Sequence, residues 1–162
     1  MRPSIRIVII AVAAVLTLAG QAFLSKPQLQ AQPSDSSYVP DLGNLMAIMQ
    51  LRHLKLAWAG DLKNWDLASY EVGQMRKSFA ATAKLYPVFQ NVQLAKLIAD
   101  VSEPALKKID DSIKAKDHDA ATRAFRNLTD ACNNCHEAAG FGFIAIHVPT
   151  SLPFSNQSFV PR

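Results

Sequence analysis

Apolar residues recur at helical spacing between residues 41 and 139 of this chain, whereas no stretch of any length alternates with the period of two that is typical of a strand. The pattern predicts four amphipathic helices. They span residues 41–59, 64–85, 92–116 and 117–139. Asp41 and Asp117 are expected to cap the first and fourth helices, and Gly60 and Gly140 are expected to end them.

The third of these helices contains a proline near its middle. Pro104 lacks the amide hydrogen that a helix interior needs, and Ser102 stands two residues before it. Ser102 can cap a restarted helix, so the sequence predicts either a kink or two short helices here.

The linkers between the predicted helices are short, which favours antiparallel neighbours. The sequence therefore predicts an all-α protein whose residues 41–140 form an up-down four-helix bundle. Residues 141–162 differ, because nine large apolar residues are interspersed with three prolines. So much apolar surface needs cover, and we expect this tail to be an ordered, extended strap.

Residues 1–31 have the composition of a targeting segment. Arg2 and Arg6 precede the apolar stretch 7–19, as in a secretory signal, with cleavage expected after Ala22 or Ala31. The alternative is an uncleaved membrane anchor, since residues 5–24 are about one bilayer long. Both interpretations place the rest of the chain in the periplasm or otherwise outside the cytoplasm. The polar residues 32–40 are expected to form a linker.

The distribution of charge argues against a nucleic-acid partner. Three of the 17 Lys and Arg residues, and none of the 13 Asp and Glu residues, lie in residues 1–31, which leaves 14 basic against 13 acidic side chains. The net charge of this domain is nearly neutral and therefore by itself predicts no polyanion partner.

The only two cysteines of the chain belong to one motif. Cys132, Asn133, Asn134, Cys135 and His136 spell C-x-x-C-H, the attachment pattern of c-type haem. Two cysteines three apart on a helix present their sulfurs on one face, so both can form thioethers with the two vinyl groups of one porphyrin. The next residue, His136, can then ligate the iron.

Three other chemistries use two cysteines at this spacing, and the sequence favours none of them. A zinc site needs two further Cys or His ligands at close spacing, and none is present. A thioredoxin-like redox pair is expected after a strand in a βαβ unit, which this sequence lacks. A disulfide between Cys132 and Cys135 suits an oxidising compartment, but the i, i+3 spacing on a helix strains it.

Residues 40–139 resemble the class II c-type cytochromes, the cytochrome c prime group and its low-spin relatives, which carry C-x-x-C-H near the end of the last helix of a four-helix bundle. The resemblance implies one covalent haem c, with thioethers to Cys132 and Cys135 and with His136 as proximal ligand. It also implies that a homodimer, formed through the first two helices, is a candidate assembly. The 26 residues after His136 are more than this family usually has.

The residue on the other side of the iron is expected from the first helix. All four methionines precede the motif, which excludes a downstream Met ligand. In an up-down bundle the end of helix four lies beside the start of helix one, so the candidates are Met46, Met49, His53 and Leu56, with Met49 or His53 foremost. His147 in the tail is a further candidate ligand.

Three arginines, two of them shortly before the motif and one on the first helix, are candidates for pairing with haem propionates, with a solvated helix face as the alternative interpretation. They are Arg52, Arg123 and Arg126.

Two functions follow from the two classes of distal residue. A Met or His ligand gives a six-coordinate iron and an electron carrier that meets redox partner proteins in transient contacts. A nonpolar residue such as Leu56 leaves the iron five-coordinate, as in cytochrome c prime members that bind nitric oxide or carbon monoxide. No grouping of acid and base residues points to enzymatic chemistry.

Overall fold

The computed structural model describes residues 38–152, 154 and 156–161. The predicted signal or anchor over residues 1–31, including the apolar stretch 5–24, lies outside them, as does most of the linker 32–40. The described part of the chain is helical and contains no strand, which confirms the all-α prediction. Its helical elements are α1 (Leu42–Asp61), α2 (Trp65–Leu85), α3 (Leu94–Leu97), the π-helical turn π1 (Ile98–Ser102), α4 (Glu103–Lys114) and α5 (His118–Ala138).

The predicted caps begin their helices as expected. The Asp41 carboxylate accepts a hydrogen bond from the amide of Asn44 at 2.8 Å, and the Asp117 carboxylate accepts one from the amide of Ala120 at 2.9 Å. Each bond satisfies one of the amides that a helix leaves without a partner in its first turn.

The prediction that Gly60 ends the first helix is wrong. Helix α1 continues through Gly60 to Asp61, and the left-handed residue of the turn is Lys63, with φ 55°. The amide of Lys63 donates to the carbonyl of Gly60 at 3.0 Å, which closes the turn. Gly140, by contrast, leaves α5 with φ 78°, a conformation that favours glycine, as predicted.

The disturbance predicted near Pro104 is a widened turn rather than a new helix start. Residues of α3, π1 and α4 follow one another without a break, and the amide of Glu103 bonds to the carbonyl of Ile98, five residues back. A proline ring in an α-helix collides with the carbonyl four residues earlier, and the wider turn relieves that collision. Ser102 is helical in its backbone and caps nothing with its side chain, so its predicted capping role is wrong.

The helices pack side by side around one apolar core. Helix α1 contacts α2 and α5, and α4 contacts the same two helices. The most completely buried large apolar side chains of the core are Val72, Met75, Leu106, Ile109 and Leu128. Among the described helices, none is long and apolar enough to cross a membrane.

The described residues after Gly140 form no helix or strand, and they return along the bundle. The indole nitrogen of Trp58 donates to the carbonyl of Ser151, and the side-chain amide of Asn64 donates to the carbonyl of Phe159, both at 3.2 Å. Ile146 and Phe159 are buried, whereas Phe143 is 80% exposed. A few residues therefore attach this segment to the helices.

Candidate cofactor-binding site

A cavity of about 360 Å³ lies against the last turns of α5. Its volume falls in the range of about 300–1,000 Å³ that is usual for small-molecule and cofactor sites. It is lined by Leu42, Gly43, Met46, Ala47, Met49, Gln50, His53, Phe79, Phe89, Val92, Leu94, Ile98, Ser102, Cys132, Cys135, His136, Ala139, Phe141, Ile144 and Ile146. All three chemistry-bearing residues of the motif thus line one cavity, together with the two foremost distal candidates.

The motif residues reach this cavity because they share one face of α5. Helix α5 runs from His118 to Ala138, and three residues of separation bring Cys132 and Cys135 to the same side. Both cysteine side chains are half-buried and pack against the apolar core, and they are not joined in a disulfide.

The two thiols are held in their protonated form. Burial raises the pKa of the Cys132 thiol to about 11, and the neighbouring Cys135 adds to this increase. Burial also raises the pKa of Cys135. A redox-active cysteine pair needs a lowered thiol pKa, so this environment does not favour the thioredoxin-like alternative. The described residues contain no group of three or more His, Cys, Asp or Glu side chains that could hold a metal ion among themselves.

The imidazole of His136 is oriented by the segment that follows α5. Its Nδ1 lies 2.7 Å from the carbonyl oxygen of Ile144. A carbonyl only accepts, so Nδ1 carries the proton and donates it to this hydrogen bond. In the neutral imidazole, Nε2 is then the nitrogen that carries the lone pair with which a metal can be ligated.

The α1 side of the cavity presents sulfur and imidazole. Met49 is 4% exposed and Met46 is half-buried. The Nε2 atom of His53 lies 2.9 Å from the Oγ1 atom of Thr129. The Thr129 hydroxyl in turn donates to the carbonyl of Phe125 at 3.0 Å, so it must accept the bond from His53.

His53 is neutral in this setting. It is 3% exposed, and burial lowers its pKa from 6.5 to about 4. Its ring also packs on Phe125, with 4.4 Å between the ring centroids. One ring nitrogen of His53 is therefore already used, while the Met49 sulfur needs no hydrogen-bond partner.

Other residues singled out from the sequence lie elsewhere. Leu56 lines a second cavity of about 230 Å³ that contains none of the motif residues, and Arg126 lines that cavity too. His147 and Arg123 are exposed and do not line the motif cavity. Arg52 donates to the carboxylate of Glu71 at 3.0 Å.

Two residues at or beside the cavity were not predicted from the sequence as site residues. Ser102 is 3% exposed and lines the cavity from π1, and the widened turn caused by Pro104 is the feature that could have indicated it. Asn133, a variable position of the motif, bonds to the backbone of Ile146 through both polar atoms of its side chain. Asn133 and Ile146 are 13 residues apart, so helical periodicity could not reveal this contact.

Protein-family models, curated proteins and solved structures were each compared with the chain, and none of them matches it. The resemblance to class II cytochromes therefore rests on the motif and its helical setting.

Proposed function

We propose that this chain is an exported monohaem c-type cytochrome of the class II type, and that it carries electrons. The observation that supports this most directly is the single cavity that Cys132, Cys135 and His136 share with Met49. The proposal includes the finer points of architecture, namely an up-down order of the four long helical segments and a tail over residues 141–162 that acts as an extended strap.

The residues around the cavity fit a porphyrin. Cys132 and Cys135 would hold it through thioethers, and Nε2 of His136 would ligate its iron. The remaining walls are largely apolar and include the aromatic side chains of Phe79 and Phe89, as suits a flat apolar macrocycle. When bound, the haem supplies one-electron chemistry between ferric and ferrous iron.

The chain's own residues set the surroundings of that chemistry. The Ile144 carbonyl keeps the proton of His136 on Nδ1. Thr129 holds His53 as a neutral wall residue, and the apolar side chains exclude water. Met49, buried on α1 with a free thioether, is the residue that we propose as distal ligand.

The electron carrier is preferred to the gas-binding alternative because of what lies on the α1 side. Met46, Met49 and His53 line the motif cavity, whereas the nonpolar candidate Leu56 lines the other one. A methionine thioether held to the iron would limit rearrangement during electron transfer.

The proposal extends to location and partners. A cleaved signal, or an anchor over residues 5–24, places the domain outside the cytoplasm. The partners are redox proteins that dock transiently, and a homodimer would use the exposed apolar side chains of Ile48 and Leu51 on α1. Sequencing of the mature N-terminus and sedimentation of the purified protein test these points.

The first experiment is intact mass spectrometry of the protein purified from cells that mature c-type cytochromes. We expect one covalent haem per chain. Replacing Cys132 or Cys135 singly by serine should leave one thioether, and replacing both should abolish attachment. A mature chain with no added mass and two free thiols would refute the proposal.

The second experiment identifies the distal residue from the absorption spectra of the ferric and ferrous protein. Met49→Leu should convert a six-coordinate low-spin spectrum to a five-coordinate high-spin one, while Met46→Leu should not. Met75→Leu is the matched control, because Met75 is buried in the core and does not line the cavity. A wild-type protein that is high-spin and binds carbon monoxide readily would instead support the gas-binding alternative.

A further inference from the structure

We infer that Asn133, a variable position of the C-x-x-C-H motif, is a positioning residue that holds residues 144–146 against α5 and so keeps the proton of His136 on Nδ1. The inference deepens the proposed function and rests on it, because the His136 tautomer matters only if His136 ligates a metal. The contacts that support the inference are all within the chain. The side-chain amide of Asn133 donates to the carbonyl of Ile146 at 2.9 Å, and its oxygen accepts from the amide of Ile146 at 2.7 Å.

The spacing of residues along α5 matches the spacing of their partners along the segment that follows it. Asn133 and His136 are three residues apart, which places them on the same side of α5 with a rise of about 4.5 Å between them. Ile144 and Ile146 are two residues apart in a non-helical segment, a separation of at most about 7 Å. Holding Ile146 at Asn133 therefore leaves the carbonyl of Ile144 within reach of His136.

The chain is also held on the near side of Ile144. The amide of Phe141 donates to the carbonyl of His136 at 2.7 Å, and the amide of Ile144 donates to the carbonyl of Phe141 at 2.8 Å. The Ile144 carbonyl thus lies between the turn at Gly140 and the bonds from Asn133. Hydrogen bonds to α5 therefore hold the chain both before and after Ile144.

Apolar burial does not hold this carbonyl by itself. Phe143 is 80% exposed and Ile144 is 43% exposed, whereas Ile146, the residue that Asn133 binds, is 8% exposed. The residues on either side of Ile146, Ala145 and His147, are exposed. Ile146 is therefore the anchor of this segment, and Asn133 satisfies both polar groups of its backbone.

The consequence for His136 follows from the two tautomers of imidazole. With Nδ1 donating to Ile144, Nε2 keeps the lone pair that a metal needs. Without that carbonyl, the tautomer protonated on Nε2 becomes accessible and cannot ligate. A donated Nδ1 proton also makes the imidazole a stronger base, which stabilises the more highly charged iron and lowers the reduction potential of a bound haem.

The test compares Asn133→Ala with Asn134→Ala in the full chain. Asn134 is the matched control, because it is the same residue type in the same motif and is exposed. In the haem-free chain at mildly alkaline pH, nitrogen NMR shifts report the tautomer of His136, and hydrogen exchange reports the protection of the Ile146 amide. We expect Asn133→Ala alone to accelerate exchange of that amide at least about tenfold, and to populate the tautomer protonated on Nε2.

A second variant separates positioning from a general loss of structure. Asn133→Asp keeps an oxygen that accepts from the Ile146 amide but loses the donor to the Ile146 carbonyl, so it should give a smaller acceleration and a smaller tautomer change. In the haem-loaded protein, Asn133→Ala should raise the midpoint potential relative to Asn134→Ala. Unchanged protection of Ile146, or an unchanged tautomer of His136 in Asn133→Ala, would overturn the inference.

The two proposals fail in different ways. A chain that acquires no covalent haem refutes the proposed function, whether or not the NMR signals of His136 respond to Asn133. A chain that acquires haem, but in which Asn133→Ala changes neither the His136 tautomer of the haem-free form nor the midpoint potential of the loaded form, refutes only the positioning role.

Discussion

Replacing His53 by glutamine removes a titratable group from the interior while retaining an N–H that can donate to Thr129. The wild-type imidazole is 3% exposed, and burial lowers its pKa from 6.5 to about 4. In the unfolded chain the same imidazole is in water and has its ordinary pKa. The two states therefore bind a proton over different ranges of pH.

The sign of the effect follows from which state binds the proton first. As the pH falls below 6.5, the unfolded chain takes up a proton on His53 while the folded chain does not, so the free energy of unfolding decreases. The decrease is about 1.4 kcal/mol per pH unit and ends near pH 4, where the folded state also becomes protonated. The total is about 3 kcal/mol. Well above pH 6.5, where the imidazole is unprotonated in both states, this residue contributes no pH dependence.

Urea denaturation of the wild type and of His53→Gln over this pH range measures the effect. The difference between the two free energies of unfolding cancels the groups that both proteins share. It should be constant well above pH 6.5 and should shift by about 3 kcal/mol in favour of the variant towards pH 4. A difference that stays constant throughout, or that shifts in favour of the wild type, would refute the assignment of His53 as a buried neutral imidazole.

Five further substitutions test the bundle itself. Arg52→Met should lower the free energy of unfolding by about 3 kcal/mol, because it leaves the 1% exposed carboxylate of Glu71 without its partner. Adding Glu71→Gln should recover much of that loss in urea denaturation. Gly140→Ala should cost about 1 kcal/mol because its φ is 78°, whereas Gly60→Ala, with open space inside a helix, should gain about 1 kcal/mol. Thermal unfolding that moves in the same direction for both glycine variants contradicts this reasoning. Asp117→Ala removes the cap of α5 and should cost about 1 kcal/mol, measured in the same way.

The features that sequence reasoning predicted well depend on near neighbours along the chain. Asp41 and Asp117 bond to amides three residues ahead, so their capping could be inferred directly. The prediction that Gly60 ends the first helix was wrong because a glycine can also lie inside a helix. The turn formed instead at Lys63. The predicted capping role of Ser102 was wrong because the helix widens at Pro104 rather than ending there.

The sequence by itself determined that Cys132, Cys135 and His136 lie together, since helical spacing alone places three such residues on adjoining positions. Tertiary structure decided what meets them: Met49 lines their cavity and Leu56 does not, although both were candidates on the same helix. The carbonyl that orients His136 likewise comes from a segment without helical periodicity. Contacts of this kind depend on how whole helices and a returning tail pack, which is the sum of many side-chain interactions rather than a property of any short stretch.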